Sequence, residues 1–157
     1  MCIRDREQRQ WAAAEGYYRQ ALAIQHEFND LYSQASTLHQ LGSVAQAQRQ
    51  WAAAEGYYRQ ALALYVEFND RYSQASTLGQ LGLLAEGQEQ WAVATEYLLQ
   101  SLSVFRELSD SHSLGITIHI LARIWRMSAD MTIPGRAAAV LDLSEIELVA
   151  LLEGAVS

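Results

Sequence analysis

A stretch of twelve residues, WAAAEGYYRQAL, begins at Trp11 and occurs again unchanged from Trp51. Residues 11–50 and 51–90 are identical at about three-quarters of their positions, and residues 91–128 follow the same template more loosely. A repeat of about 40 residues restricts a chain to folds in which copies of one small unit stack on each other. The chain is therefore predicted to be an array of similar units.

Each unit has the apolar spacing of two helices. Ala54, Tyr58, Ala61 and Tyr65 follow one another at steps of three and four residues, which places them on one helical face. An Asn-Asp or Ser-Asp pair interrupts each unit, so the aspartates are predicted to cap the helices that follow; they are Asp30, Asp70 and Asp110. The predicted helices cover residues 11–28, 32–48, 51–68, 72–88, 91–108 and 112–128.

Small residues recur at fixed places in these helices. Gly42 and Gly82 lie mid-helix, where glycine is about 1 kcal/mol less favourable than alanine. A glycine that recurs there indicates that a neighbouring helix approaches closely. Ala54 and Ala61 are expected to allow the two helices of one unit to pack tightly.

These positions resemble the tetratricopeptide pattern. The matching residues are Leu41, Gly42, Ala45, Trp51, Ala54, Tyr58 and Ala61, then Leu81, Gly82, Ala85, Trp91, Ala94 and Leu98. Because the unit is nearer 40 than 34 residues, it is similar to the long-repeat arrays of kinesin light chains, G-protein-signalling modulators and bacterial regulatory proteins. The resemblance covers about residues 7–128 and implies an all-α, right-handed superhelical solenoid of antiparallel helix pairs.

The resemblance also implies a concave groove, lined by the first helix of each pair, that receives a peptide or a partner helix. The matching positions are Ser36, His39, Ser43 and Gln46, then Ser76, Gly79, Leu83 and Glu86, then Ile116, His119, Arg123 and Arg126. The last row contains two arginines, and arginine pairs well with carboxylates. A partner with an acidic group is one prediction, and plain solvation of that helix face is the alternative.

Residues 129–157 depart from the template. Two short helices, at about 135–141 and 144–154, are predicted to cap the array, because a solenoid needs a covered end. A helix-turn-helix is the rival interpretation, since Ala138, Leu141, Leu148 and Leu151 have its spacing. However, the second helix carries Glu145, Glu147 and Glu153 and no arginine, which disfavours DNA binding. The cap is preferred.

The first six residues, MCIRDR, resemble a translated sequencing adapter and do not follow the repeat. Residues 1–6 are therefore interpreted as a non-native segment at the end of a truncated reading frame. If a preceding unit is missing, Trp11, Ala14 and Tyr18 are expected to show apolar surface. Self-association through that end is then predicted.

The composition limits the class of function. The formal charge is −7, and every basic residue is arginine, so neither nucleic acid nor an anionic membrane is an expected partner. The single cysteine, Cys2, forms no internal disulfide, which fits a reducing cytoplasm. His112 and His119 lack a third ligand at suitable spacing, so no metal is predicted. No cofactor or enzyme motif is recognised.

The sequence thus predicts a non-catalytic scaffold that binds a protein or a peptide. The alternative is that the repeats are the sensor array of a larger signalling ATPase or transcription regulator. An upstream nucleotide-binding domain in the same reading frame would favour the alternative.

Overall fold

The computed structural model describes the backbone of residues 3–154 and the side chains of residues 7–154. Within this range the chain contains helices and turns and no β-strand. The eight helices of the range are α1 (Ile3–Glu27), α2 (Leu31–Ala47), α3 (Trp51–Glu67), α4 (Arg71–Gly87), α5 (Trp91–Glu107), α6 (Ser111–Ser128), α7 (Ile133–Leu141) and α8 (Glu145–Gly154). The chain divides between Asp70 and Arg71 into two compact units, which are called the first and the second unit below and are distinct from the repeats of about 40 residues.

The six predicted repeat helices are confirmed to within one residue at every end but one. The exception is α1, which begins at Ile3 rather than at residue 11. Residues 1–6 were expected to be non-native; their side chains, and all of residues 1 and 2, lie outside the described residues. That expectation, like the division into 7–128 and 129–157, remains a prediction.

A residue with positive φ recurs every 20 residues and ends each helix of the array. These left-handed residues are Asn29, Arg49, Asn69, Glu89, Ser109 and Ala129. A left-handed residue after a helix lets the chain turn back, so this regular spacing gives helix pairs of nearly constant length. Asp30 and Asp110 accept hydrogen bonds from the backbone N–H groups of Ser33 and Ser113 at 3.0 and 3.1 Å, which confirms them as caps.

The first unit is held together by close packing between α2 and α3. A Cβ on Gly42 would lie 2.7 Å from the Tyr58 ring, so only glycine leaves room for that ring. Ala35 and Ala61 are fully buried and pack with Leu38 and Tyr65 in one cluster. The close approach predicted from the mid-helix glycines and alanines is confirmed.

The second unit repeats this packing between α4 and α5. Gly82 lies against Leu98, and a Cβ at residue 82 would be 2.7 Å from Leu98 Cγ. Leu98 and Leu102 are fully buried and belong to a core that continues through α6, with Leu121 and Ile124.

Helices α7 and α8 cap this core. Ile133, Ala137, Leu148 and Leu152 are all buried in the same cluster as the α6 residues. The predicted start of α7 at residue 135 is wrong by two residues: α7 begins at Ile133, and Pro134 lies in its first turn. Proline suits that turn because the backbone N–H groups there have no intrahelical acceptor.

Candidate functional site

The predicted groove residues lie on α2, α4 and α6, with one row of four on each helix. Each row repeats at steps of three and four residues, so its members share a helical face. The α2 row belongs to the first unit, and the α4 and α6 rows belong to the second.

In the α2 row, three of the four predicted residues, His39, Ser43 and Gln46, interact with Tyr58. The Tyr58 hydroxyl donates to Gln46 Oε1 at 2.8 Å, and the His39 ring meets the Tyr58 ring edge-on with centroids 5.3 Å apart. Burial lowers the pKa of His39 and raises the pKa of Tyr58 to about 12. Ser36 and Ser43 are exposed, so the surface that this row presents is polar.

The second unit contains a cleft of about 170 Å³ bounded by α4, α5 and α6. Its α4 side consists of Tyr72, Ser76, Gly79, Gln80 and Leu83. The remaining walls are Leu98, Ser101 and Phe105 of α5, with Ser113, Ile116, Thr117 and Ile120 of α6. Four residues predicted from the sequence, Ser76, Gly79, Leu83 and Ile116, therefore lie together around one opening.

Several hydroxyl groups of the cleft bond within the protein. Ser101 Oγ donates to the Ala75 carbonyl at 2.9 Å, and Thr117 Oγ1 donates to the Ser113 carbonyl at 2.9 Å. Ser113 Oγ donates to Asp110 Oδ2 at 2.6 Å. These three hydroxyl groups therefore already have acceptors, and the other polar side chains of the lining, Tyr72, Ser76 and Gln80, belong to the α4 side.

An ion pair joins the predicted rows of α4 and α6. Arg123 Nε and Nη2 donate to the two carboxylate oxygens of Glu86 at 2.5 and 2.6 Å. The hydrogen bond with Glu86 raises the pKa of Arg123 further above its usual value. The Glu86 side chain is 14% exposed and that of Arg123 is 56% exposed. The basic row predicted on α6 is thus partly neutralised by a carboxylate of the protein itself.

The other two basic candidates of α6 are exposed. His119 Nδ1 lies 3.0 Å from the Gly115 carbonyl, one turn back along the helix. Arg126 lies in the last turn of α6, where a cation interacts favourably with the helix dipole. Arg126 makes no ion pair with any residue in the described part of the chain.

Other arginines of the second unit are also paired. Arg71 contacts Glu107 at 2.5 Å, Arg136 contacts Glu96 at 2.5 Å and Arg106 lies 3.6 Å from Asp142. Acidic residues outnumber arginines in residues 71–157. Pairing therefore leaves an excess of carboxylates around this unit.

The sequence analysis did not identify the α5 wall, Tyr72 and Gln80 of the α4 side, or Ser113, Thr117 and Ile120 of the α6 wall. A signal was present in the differences between equivalent positions of the repeats. His39 becomes Gly79, Tyr58 becomes Leu98 and Ala61 becomes Ser101 one repeat later. The first two changes replace a ring with a smaller group, and both replacements lie at the cleft.

No group of three His, Cys, Asp or Glu side chains within the described residues is arranged to hold a metal ion. None of the described helices has both the length and the apolar character needed to cross a membrane.

Comparison with known proteins supports the helical-repeat architecture. The family model described as tetratricopeptide repeat matches residues 5–67 and 33–107. Among solved structures, BtubC (BKLC) from P. vanneervenii is similar, with a TM-score of 0.72 and 22% identity over 92% of this chain. The match spans 59% of the BtubC chain. At this identity the likeness establishes a shared fold. A search of curated proteins gives no match.

Proposed function

Because the chain belongs to the tetratricopeptide repeat family, we propose that it is a non-catalytic scaffold that binds a protein or peptide segment. The binding surfaces are the exposed face of α2 in the first unit and the cleft of the second. Tetratricopeptide repeats in general mediate protein–protein interactions. A cytoplasmic location is part of the proposal, since the chain has one cysteine and no internal disulfide.

The observation that carries the proposal is the cleft between α4, α5 and α6. Ile116 is half exposed at its mouth, and Tyr72 is also exposed there. Concave apolar surfaces with a few polar groups are the usual places at which proteins bind ligands. Four residues that the tetratricopeptide resemblance implies as groove residues line this cleft, which supports the proposal.

The test is selection from a random peptide library against the intact chain, followed by calorimetric titration of the selected peptides. Ser36→Trp adds bulk at an exposed position of the α2 face, and His119→Trp adds bulk at an exposed position of α6 one helical turn after Ile116 of the cleft. Gln100→Trp adds the same bulk at an exposed position of α5 outside the proposed face and is the matched control. The proposal expects weaker binding from at least one face variant and unchanged binding from the control. Absence of any binding peptide, or equal binding by all variants, would contradict it.

An acidic group on the partner remains a finer part of the proposal. Such a group would have to share Arg123 with Glu86 or bind Arg126 alone. Exposed ion pairs contribute about 0–1 kcal/mol. We therefore assign the acidic group a small share of the binding free energy.

Self-association through α1 is a second detail of the proposed function. Trp11 is 38% exposed and Tyr17 is 73% exposed on α1, whereas Ala14 and Tyr18 are half-buried. Trp11 also borders a wide cleft beside the turn that joins α2 and α3. A second copy of the chain that covered Trp11 and Tyr17 would remove both side chains from water.

A further inference from the structure

Gly79 lies in the middle of α4 without a packing reason to be glycine. No glycine in the described residues has positive φ, so backbone conformation does not require it. A Cβ at residue 79 would meet Ser101 Oγ at 3.6 Å, which is ordinary contact. By contrast, a Cβ at Gly82 would lie 2.7 Å from Leu98. A mid-helix glycine is about 1 kcal/mol less favourable than alanine. Alanine would therefore stabilise the helix at residue 79, whereas at residue 82 it would clash with Leu98.

The preceding repeat shows what normally fills this space. There His39, the equivalent of Gly79, packs edge-on against Tyr58. In the second unit Gly79 replaces the imidazole and Leu98 replaces the tyrosine. Both of these smaller residues line the cleft. The cleft therefore exists because two ring side chains of the template are missing at this one place.

The size and chemistry of the cleft indicate which kind of side chain fits it. An apolar cavity of about 150 Å³ accommodates one benzene molecule, and this cleft has a volume of about 170 Å³. Leu83, Leu98 and Ile120 supply apolar walls, and the hydroxyls of Ser101 and Thr117 bond internally. One branched aliphatic side chain matches both the volume and the apolar walls.

The charge of the second unit indicates which residue of the partner lies next to that aliphatic side chain. Ser113, at the α6 wall, bonds to the carboxylate of Asp110, and this carboxylate is the cap of α6 rather than part of an ion pair with arginine. Elsewhere in the second unit, Glu86 and Glu107 are already paired with Arg123 and Arg71. Residues 71–157 contain ten acidic residues and five arginines, so the net charge of this unit is negative, which favours a basic residue on the partner.

The geometry points to a specificity pocket: the cleft at Gly79 receives one aliphatic side chain of a partner peptide, and a basic residue next to it lies toward Asp110. This assignment rests on the proposed function and names the partner chemistry that the second unit recognises. Removal of the aliphatic side chain from water provides the main favourable term, and the basic residue sets the direction of the peptide.

The test uses peptides selected from a random library against the intact chain and titrates them against variants at residue 79. Gly79→Leu fills the pocket, while Gly79→Ala adds a methyl group that the structure accommodates. The pocket predicts that selected peptides share one Leu, Ile or Val beside a Lys or Arg. Gly79→Leu should weaken their binding at least tenfold, whereas Gly79→Ala should change it less than threefold. Replacing the peptide's aliphatic residue by alanine should also weaken binding at least tenfold.

Gly79→His provides a second filled variant, because histidine occupies the equivalent position of the preceding repeat. Far-ultraviolet circular dichroism identifies which variants are folded before titration. Selected peptides that lack a shared aliphatic residue, or that bind the filled and wild-type proteins equally well, would overturn the pocket. Such peptides would leave the proposed function intact if they still lost affinity for Ser36→Trp or His119→Trp. Failure to select any peptide would overturn both.

Discussion

Gly82 and Leu98 approach so closely that a Cβ on residue 82 would lie 2.7 Å from Leu98 Cγ. Leu98 is fully buried, and its Cγ is near the backbone rather than at a free end of the side chain. A methyl group at residue 82 must therefore displace α5 or force Leu98 from its rotamer.

Alanine substitutions at Gly82 and Gly79 are expected to change stability in opposite directions. Overpacking costs about 1–3 kcal/mol, so Gly82→Ala should lower the free energy of unfolding despite alanine's better helix propensity. Gly79→Ala should raise it by about 0.5–1 kcal/mol, because the added methyl group meets only an ordinary contact. Urea unfolding followed by circular dichroism measures both. The same sign for both variants would contradict the packing described for α4 and α5.

Stability at low pH should depend on the helix caps. Hydrogen bonds from Ser33 lower the pKa of Asp30, and those from Ser113 lower the pKa of Asp110. Their contribution is therefore complete above the unfolded pKa of about 3.9 and is lost as pH falls through the lower folded values. Asparagine caps helices about as well as aspartate but does not titrate in this range.

The double variant Asp30→Asn with Asp110→Asn tests this linkage. Between pH 5 and about pH 2 its melting temperature should fall less than that of the wild type. Parallel curves over that range would show that the two caps do not contribute to the acid sensitivity.

The arginines of α6 should contribute modestly to binding. Arg123 already pairs with Glu86 through two hydrogen bonds. Arg123→Ala together with Arg126→Ala is therefore expected to weaken the selected peptides less than tenfold, with a small change in salt dependence. Calorimetric titration at two salt concentrations measures this. A loss of tenfold or more that disappears in high salt would instead support an acidic group on the partner.

Exposed aromatic residues on α1 should promote self-association. Trp11→Ser with Tyr17→Ser is expected to reduce any concentration-dependent increase in sedimentation coefficient, because both side chains are exposed. Phe28→Ser is the control, since Phe28 is 75% exposed just beyond the other end of α1. A monomeric wild type at high concentration, or an equal effect from the control, would count against self-association through this surface.

The fold was largely accessible from the sequence because nearly identical repeats present the same local signals several times. Mid-helix Gly42 and Gly82 indicate close helix approach from the sequence alone, and the structure places a buried side chain against each. The start of α7 was misplaced because Pro134 is compatible with either a preceding turn or a first helical turn. One such residue does not distinguish the two.

Only part of the candidate site could be predicted from the sequence. The tetratricopeptide resemblance implies that Ser76, Gly79 and Leu83 are groove residues on one helical face. The pairing of Glu86 with Arg123 joins residues 37 positions apart and depends on how α4 and α6 pack. Likewise, Gly79 opens a cleft only because Leu98 is smaller than the tyrosine of the preceding repeat. Both features follow from tertiary contacts that helical periodicity does not encode.

The most direct test of peptide binding in the cleft is the observation of nuclear Overhauser effects between a selected peptide and methyl-labelled protein. The account predicts contacts from the peptide's aliphatic methyl groups to the methyl groups of Leu83, Ile116 and Ile120, which line the cleft. Val93 is an exposed methyl-bearing residue of α5 outside the cleft and reports on other surfaces. Contacts to the three cleft residues and none to Val93 would support the account. Contacts to Val93 without any to the cleft would contradict it.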